Sequence, residues 1–263
     1  MVYFVGAGCG APDLITVRGK KRIEEADVVI YAGSLVNPEL LTYAKEGTEI
    51  HNSAYMTLEE VLDVMKKAEA EGKTVVRLHT GDPSVYGAVR EQMDALDELG
   101  ISYESTPGVS AAFGAAAAMN LEYTLPGISQ SLIITRMAGR TDVPEKESIE
   151  SFASHRATMA IYLSAGQLGE LSKRLVDGGY TENTPAAIAY KVTWPDQEIY
   201  FCTIGTLEAT AKEHGITKTA LILVGDVIAQ SGYEKSRLYA ADFSTEFRKA
   251  KAHGGEAPAS KED

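Results

Sequence analysis

A glycine-rich turn near the start of the chain has the residue types of a phosphate-binding loop. The sequence Gly6-Ala-Gly-Cys-Gly10 follows Val2-Tyr-Phe-Val5, and residues 16–27 have the residue spacing of a helix. A strand, a glycine turn and a helix in this order can bind a dinucleotide. However, the third glycine comes one residue earlier than in G-x-G-x-x-G, and Val28-Val-Ile-Tyr31 is not followed by a ribose-binding carboxylate. A tight turn without a ligand therefore explains this stretch equally well.

Two further turns have the same position between a predicted strand and a predicted helix. They are Gly81-Asp-Pro-Ser-Val-Tyr-Gly87 and Thr106-Pro-Gly-Val-Ser110. Asp82 could instead cap the next helix with Pro83 at its first position, which requires no ligand. Open α/β sheets bind their ligands beyond the carboxyl ends of the strands. Three such turns in one half of the chain therefore predict a cleft at one edge of a sheet.

The sequence contains no recognisable set of catalytic side chains. No G-x-S-x-G motif, paired-carboxylate motif or P-loop lysine is present, and Cys9 and Cys202 are far apart, as are the five histidines. This pattern predicts no metal site and no disulfide. It favours chemistry that depends on orienting two reactants, for which methyl transfer from S-adenosylmethionine is suitable because its sulfonium is intrinsically reactive.

Composition and charge exclude several classes of partner. The 263 residues carry a net charge of −12, which disfavours binding to nucleic acid or to an anionic membrane. No apolar run approaches the roughly 18 residues of a membrane-spanning helix. Met1 leads directly into a predicted strand without the features of a secretory signal. These observations predict a cytoplasmic protein.

The order of the elements predicts two α/β domains. Strands and helices alternate through residues 1–119, which predicts a mostly parallel sheet with flanking helices. Residues 120–130 lack either periodicity and are the expected linker, and residues 131–247 form the expected second domain. Its sheet should be mixed, because Trp194-Pro-Asp-Gln197 resembles a hairpin turn between two strands. Residues 248–263 are charged and aperiodic, which predicts a disordered tail.

The motifs together resemble the tetrapyrrole methyltransferases of the uroporphyrinogen-III and precorrin methylase family. The resemblance covers about residues 2–245 and rests on Val5-Gly-Ala-Gly-Cys-Gly-Ala-Pro-Asp-Leu-Ile-Thr16, Ala26-Asp-Val-Val-Ile-Tyr31, Gly81-Asp-Pro-Ser-Val-Tyr-Gly87 and Pro107-Gly-Val-Ser-Ala111. Within the family, Tyr31-Ala-Gly-Ser-Leu-Val-Asn-Pro38 and Ser131-Leu-Ile-Ile-Thr-Arg136 resemble the branch that methylates C11 of precorrin-4 or cobalt-precorrin-4 in cobalamin biosynthesis. Methylation at C17 or another precorrin position is the near alternative.

The resemblance implies two α/β domains with S-adenosylmethionine bound in a cleft between them, usually in a homodimer. S-adenosylhomocysteine would be the product. The cofactor positions implied by the family are Thr80, Gly81, Asp82, Val85, Ser110, Ala111, Leu163, Val192 and Ala220. The opening glycine loop would face the tetrapyrrole, and the implied substrate positions are Gly8, Cys9, Pro12, Asp13, Arg18 and Ser34.

The chain departs from the family pattern at several positions. Cys9 stands where proline is common, and Ala11 stands where aspartate is frequent. Members that act on uroporphyrinogen have an aspartate before Arg-Leu-Val, which is regarded as a base, and a lysine further on. This chain has Gly33-Ser-Leu-Val36 and His51-Asn52 instead, which argues against that reaction. The resemblance therefore assigns no catalytic base.

Two hypotheses from other classes remain open at this point. A nicotinamide-dependent oxidoreductase would use the opening glycines, and a non-catalytic ligand-binding module would explain the missing catalytic groups.

Arg18, Arg136 and Arg140 are candidates to bind substrate carboxylates, because a polycarboxylate that approaches a protein of charge −12 needs local positive charge.

Overall fold

The fold contains two five-stranded sheets, one formed by each half of the chain. The computed structural model describes residues 1–139 and 141–250. The strands of the first sheet are β1 (Val2–Gly6), β2 (Val28–Tyr31), β3 (Glu49–Asn52), β4 (Val75–His79) and β5 (Tyr103–Thr106). They lie in the order β3-β2-β4-β1-β5 and all pair in parallel. The carboxyl ends of β4, β1 and β5 therefore lie side by side at one edge.

Helices connect the parallel strands and cover both faces of the first sheet. They are α1 (Val17–Glu25), α2 (Leu58–Ala70) and α3 (Arg90–Glu98). Ile23 of α1 and Met65 of α2 are fully buried in two separate clusters, one on each face. A capping box begins α2, because Glu60 N–H donates to Thr57 Oγ1 at 3.3 Å and Thr57 N–H donates to the Glu60 carboxylate at 2.7 Å.

The second sheet is mixed, as the sequence predicts. Its strands are β6 (Leu132–Arg136), β7 (Thr158–Tyr162), β8 (Pro185–Tyr190), β9 (Glu198–Thr203) and β10 (Ala220–Val224), in the order β6-β7-β10-β8-β9. The pair β6 and β7 is parallel, whereas β10 pairs antiparallel with both β7 and β8, and β8 pairs antiparallel with β9. Its helices are α5 (Ile149–Ala153), α6 (Leu168–Asp177) and α7 (Leu207–Glu213).

The helix α4 (Ala111–Met119) joins the two halves. It follows β5 of the first sheet, but its buried residues Ala112 and Ala115 belong to the same apolar cluster as Ala160, Ala187 and Leu221 of the second sheet. Alanine on both sides permits close approach of the helix and the sheet. The start of α4 therefore lies where both halves of the chain can contribute to one site.

The predicted fold class is confirmed, with differences in detail. The strand β3 was not predicted, because Glu49, His51 and Asn52 make it polar and because it lies at the sheet edge, where β2 is its one partner among the described strands. The helix α5 was also missed, since five residues are too few to display a helical period. The domain limits 1–119, 120–130 and 131–247 stay predictions. In the expected tail, residues 248–250 form neither helix nor strand and residues 251–263 lie outside the described residues.

Within the described part of the chain, none of the helices has the length and apolar character that a membrane crossing requires.

Candidate functional site

Three turns meet at the carboxyl ends of β4, β1 and β5. Gly81 N–H donates to Gly8 O at 2.8 Å, and Gly8 N–H donates to Gly81 O at 3.2 Å. The third turn approaches the same point, because a Cβ atom on Gly108 would lie 2.1 Å from Gly81 O and 2.7 Å from Cα of Gly6. Glycine is required where backbone segments come this close. The three glycine-bearing turns of the sequence are therefore brought together at one edge of the sheet.

The carboxylate of Asp82 connects two of these turns. Its Oδ2 atom accepts a hydrogen bond from Gly108 N–H at 2.8 Å, and its Oδ1 atom accepts one from Ser84 N–H at 2.8 Å. Burial raises the pKa of Asp82, but the hydrogen bonds from Ser84 and Gly108 outweigh it and hold the pKa below its usual value. Because α3 begins only at Arg90, Asp82 does not cap that helix.

A cavity of about 510 Å³ opens beside the turns and is lined by both halves of the chain. This size lies within the range of about 300–1,000 Å³ that is typical of small-molecule sites. The first half contributes Cys9, Leu35, Thr80 and Ala111. The second half contributes, among others, Tyr162, Leu163, Val192, Trp194, Thr219 and Ala220. The expected cleft between the two α/β halves is therefore present.

Most of the nine expected cofactor positions lie in or next to this cavity. Those that line it are Thr80, Ala111, Leu163, Val192 and Ala220. Gly81 and Ser110 directly adjoin lining residues in the chain, and the Asp82 carboxylate holds the turn through the hydrogen bonds that it accepts from Ser84 and Gly108. Val85 does not line the cavity, and its N–H donates to Asp82 O at 3.2 Å within the turn. The binding roles of these residues remain predictions.

The backbone is strained around the cavity. Three lining residues other than glycine have positive φ angles, namely Leu163 at 54°, Lys191 at 42° and Thr219 at 58°. Thr193, beside Trp194, is similar at 64°. Each such conformation costs about 1–3 kcal/mol, and strain of this kind concentrates at ligand sites. The strain therefore supports a binding role for this part of the second half.

Tyr162 is a lining residue that the sequence analysis missed. Its hydroxyl oxygen lies 2.7 Å from Ser110 Oγ and accepts a hydrogen bond from Ala112 N–H at 2.8 Å. Its ring centroid lies 5.6 Å from that of Tyr86. Burial raises the pKa of Tyr162, so the hydroxyl stays protonated at neutral pH. The sequence feature that could have identified Tyr162 is its position at the end of an apolar strand, directly before the expected cofactor position Leu163.

The opening glycine loop packs against the second half of the chain. A Cβ atom on Gly10 would lie 2.5 Å from Trp194 Cδ1 and 2.7 Å from Thr193 Oγ1. Ala11 N–H donates to Thr193 Oγ1 at 3.0 Å, and the Asn37 side-chain amide donates to Gly10 O at 2.9 Å. The glycines therefore permit contact between protein segments, in place of the close approach to a pyrophosphate that a dinucleotide-binding protein needs. This packing argues against the dinucleotide hypothesis.

Two of the expected substrate positions lie next to the cavity. Cys9 lines it, and burial raises the pKa of its thiol despite a hydrogen bond with Thr193. Gly8 forms the bridge to Gly81. The side chain of Ser34 lies outside the described residues, but the adjacent Leu35 lines the cavity and is 42% exposed. The cavity therefore extends from the second sheet to the loop that the family resemblance assigns to the substrate.

The other expected substrate positions are not brought into the cavity. Pro12 and Asp13 lie in a short 3-10 helix (Pro12–Leu14), and Arg18 is exposed on α1. Among the candidate arginines, Arg136 donates to the carbonyl groups of Met137, Thr141 and Asp142, so it orders its own loop. Arg140 lies outside the described residues.

Among the described residues that line the cavity, none offers a carboxylate or an imidazole as a catalytic base, although Tyr162, Lys191 and Lys218 are part of the lining. His51, near the expected position of a family lysine, interacts with Glu49 at 2.7 Å in β3. Within residues 1–139 and 141–250, no three His, Cys, Asp or Glu side chains are grouped so that they could hold a metal ion. The arrangement suits chemistry that depends on placing two reactants together.

Comparison with known proteins identifies the family. Residues 1–208 match the family model described as Tetrapyrrole (Corrin/Porphyrin) Methylases. The chain belongs to the tetrapyrrole methylase family. A Methanocaldococcus jannaschii protein named cobalt-precorrin-4 C(11)-methyltransferase is 53% identical over 249 residues, which cover 95% of this chain and 96% of that relative. The family resemblance drawn from the motifs is therefore confirmed.

Solved structures of tetrapyrrole methylases share this architecture. The X-ray structure of a cobalamin biosynthetic enzyme, cobalt precorrin-4 methyltransferase, matches with a TM-score of 0.85 and 44% identity, covering 86% of this chain and 95% of that chain. A uroporphyrin-III C-methyl transferase from Thermus thermophilus, complexed with S-adenyl homocysteine, matches with a TM-score of 0.73 and 25% identity, covering 88% of this chain and 99% of that chain.

Proposed function

We propose that this tetrapyrrole methylase is an S-adenosylmethionine-dependent C-methyltransferase that methylates C11 of precorrin-4 or cobalt-precorrin-4 in cobalamin biosynthesis. The observation that carries the proposal is the cavity shared by the three turns and the second sheet, in a chain 53% identical to a relative named for that reaction. The related structure complexed with S-adenyl homocysteine supports the choice of cofactor.

The lining residues suit this cofactor. The cavity is largely apolar and its walls offer small side chains, such as Ala111 and Ala220, and backbone groups at strained positions such as Leu163 and Thr219. An adenosyl group with an amino-acid arm needs apolar contact for its ring and a few oriented polar groups. We assign the cofactor to Thr80–Asp82, Ser110–Ala111 and the second-half positions Leu163, Val192 and Ala220.

The chain's own residues promote the reaction by orientation and exclusion of water. When bound, the cofactor supplies a methyl group on a positively charged sulfur, and this positive charge disperses as the methyl group is transferred. The apolar walls exclude water from the reacting atoms, and the connected turns fix their relative positions. The thiol of Cys9 stays neutral because burial raises its pKa, so it does not compete as a nucleophile for the methyl group.

The tetrapyrrole would approach from the opening loop. Leu35 and Cys9 line the cavity on that side, so a macrocycle seated on this loop would present one carbon atom to the cofactor. Gly8, Pro12, Asp13, Arg18 and Ser34 remain predicted contacts of the larger substrate, outside or beside the cavity itself. The homodimer and the cytoplasmic location likewise remain predictions.

Product analysis tests the proposed reaction. The purified protein is incubated with methyl-labelled S-adenosylmethionine and either precorrin-4 or cobalt-precorrin-4, and the label is located by NMR. We expect the label on C11, and the two substrate arms show whether cobalt must already be present. A label on C17 or another carbon would refute the C11 assignment.

Ligand titration tests the class of enzyme separately. We expect calorimetry to detect binding of S-adenosylhomocysteine and no binding of NAD. Binding of NAD alone would refute the methyltransferase proposal and favour an oxidoreductase. Binding of S-adenosylhomocysteine without methyl transfer to any tetrapyrrole would favour a ligand-binding module instead.

A further inference from the structure

The N-terminus of α4 is capped by a hydroxyl group from the other half of the chain. Ser110 occupies the N-cap position, but its side chain makes no hydrogen bond with the first turn of the helix. Instead, Ala112 N–H donates to the hydroxyl oxygen of Tyr162 at 2.8 Å. The first N–H groups of a helix have no partner within the helix, and a side chain that accepts a hydrogen bond from one of them stabilises the helix. The hydroxyl group of Tyr162 therefore caps the N-terminus of α4 in place of an N-cap side chain.

The same hydroxyl group also holds Ser110. Its oxygen lies 2.7 Å from Ser110 Oγ, and after it accepts from Ala112 it retains one O–H to donate. Tyr162 is the last residue of β7, and Leu163 follows with a φ of 54°. One hydroxyl group thus connects the end of a strand in the second sheet with the start of α4.

These contacts determine how two walls of the cavity are placed. Ala111, at the start of α4, lines the cavity, and so do Tyr162 and Leu163 at the end of β7. The two segments come from different halves of the chain, and Tyr162 is the residue that hydrogen-bonds one to the other. A small shift of α4 relative to β7 would alter the space between them.

The chain contains a matched tyrosine that makes a similar contact away from the cavity. The hydroxyl group of Tyr123 donates to Ala112 O, so the N–H and the carbonyl group of Ala112 each bind a tyrosine hydroxyl. Tyr123 is only 7% exposed and is not among the residues that line the cavity. Loss of either hydroxyl removes support from the same residue, but only one of them adjoins the cavity.

We propose that Tyr162 is a positioning residue for cofactor binding, because its hydroxyl group fixes the start of α4 against β7 and so holds Ser110, Ala111 and Leu163 in their binding arrangement. The inference rests on the proposed function. It predicts that loss of the Tyr162 hydroxyl weakens cofactor binding more than the loss of a buried tyrosine hydroxyl that does not adjoin the cavity.

Calorimetric titration with S-adenosylhomocysteine compares the wild-type protein, Tyr162→Phe and Tyr123→Phe. We expect Tyr162→Phe to weaken binding about tenfold, since two hydrogen bonds are lost and a tenfold change in affinity corresponds to about 1.4 kcal/mol, or about 0.7 kcal/mol for each bond. Tyr123→Phe should change the affinity by less than about twofold. The two variants should nevertheless lower the melting temperature of the protein by similar amounts, because each loses a buried hydroxyl that is hydrogen-bonded to Ala112. Equal losses of affinity in both variants, or no loss in Tyr162→Phe, would overturn the inference.

Kinetics separate a positioning role from general damage to the fold. In Tyr162→Phe the KM for S-adenosylmethionine should rise about tenfold, whereas kcat at saturating cofactor and the KM for the tetrapyrrole should stay within about twofold of wild type. A fall in kcat that saturating cofactor does not restore would overturn the positioning role.

Ser110→Ala provides a second route to the same answer if Tyr162→Phe does not fold. It removes one partner of the hydroxyl without altering β7, and we expect about threefold weaker binding of S-adenosylhomocysteine. Its effect should be less than additive with that of Tyr162→Phe, since both remove one shared contact. Unchanged affinity in Ser110→Ala would overturn the inference. Failure of the wild-type protein to bind S-adenosylhomocysteine would instead refute the proposed function, and this inference with it.

Discussion

The Oδ2 atom of Asp82 accepts a hydrogen bond at 2.8 Å from the backbone N–H of Gly108, which lies 26 residues further along the chain. The contact connects the turn after β4 with the turn after β5, on either side of the strand β1. The lowered pKa of Asp82 keeps the carboxylate ionised, and an ionised acceptor makes a stronger hydrogen bond. Asp82 therefore contributes to the site by fixing the backbone.

Replacing Asp82 with alanine should weaken cofactor binding. The change removes the hydrogen bonds to Gly108 and Ser84, so the turn at Gly81 loses its fixed position. We expect the dissociation constant for S-adenosylhomocysteine to rise about tenfold or more, as measured by calorimetry.

Asp13→Ala is the matched control for this prediction. Asp13 is an exposed carboxylate in the opening loop and does not line the cavity, so its removal should change the affinity by less than about twofold. Equal losses in the two variants would show that the cofactor binds at a different loop.

Replacing Gly108 with alanine should destabilise the protein strongly. The added Cβ atom would lie 2.1 Å from Gly81 O and 2.7 Å from Cα of Gly6, and these are backbone atoms that cannot move aside. We expect the free energy of unfolding in urea to fall by about 3 kcal/mol or more.

Gly139→Ala is the control, because among the described residues a Cβ atom there would approach just Gln167 Nε2, at 3.5 Å. Its effect on the free energy of unfolding should remain within about 0.5 kcal/mol. A similarly small effect for Gly108→Ala would mean that the three turns are less closely packed than the structure indicates.

Local sequence patterns were sufficient to predict most of the elements. The alternation of strands and helices predicted the first sheet, and Trp194-Pro-Asp-Gln197 predicted the turn between the antiparallel strands β8 and β9. The edge strand β3 was not predicted because among the described strands it pairs with β2 alone, and its polar residues show no alternation of apolar and polar side chains.

The site was only partly predictable for a different reason. Glycine turns are visible in a sequence because they are local, but the contact between Ser110 and Tyr162 joins residues 52 positions apart. Likewise, the positive φ angles of Lys191 and Thr219 are imposed by the packing of the second half, since neither residue type favours that conformation. The family resemblance supplied Leu163, Val192 and Ala220, whose side chains alone resemble ordinary core residues.

The buried histidine His79 should make stability depend on pH. His79 is 4% exposed, its Nε2 atom has no hydrogen-bond partner among the described residues, and burial together with the charge of Arg77 lowers its pKa from 6.5 to about 3. Below about pH 6.5 the unfolded chain binds a proton that the folded protein excludes. Stability should therefore fall as the pH falls towards 4.5, by up to about 1.4 kcal/mol per pH unit.

Urea unfolding of two histidine variants tests this assignment. His79→Asn should reduce the slope of stability against pH between about pH 6.5 and 4.5. His155→Asn should leave the slope unchanged, because His155 is exposed. If both variants retained the wild-type slope, the acid sensitivity would belong to other groups.

The single tryptophan of the chain should report cofactor binding. Trp194 lines the cavity, and its Cδ1 atom lies against Gly10 of the opening loop, so a ligand in the cavity changes the surroundings of the indole ring. We expect a saturable change in tryptophan fluorescence on titration with S-adenosylhomocysteine, with the same midpoint as the calorimetric titration. NAD serves as the control and should give no saturable change. Calorimetric binding of S-adenosylhomocysteine without any change in fluorescence would place the ligand away from Trp194, and so contradict its assignment to this side of the cavity.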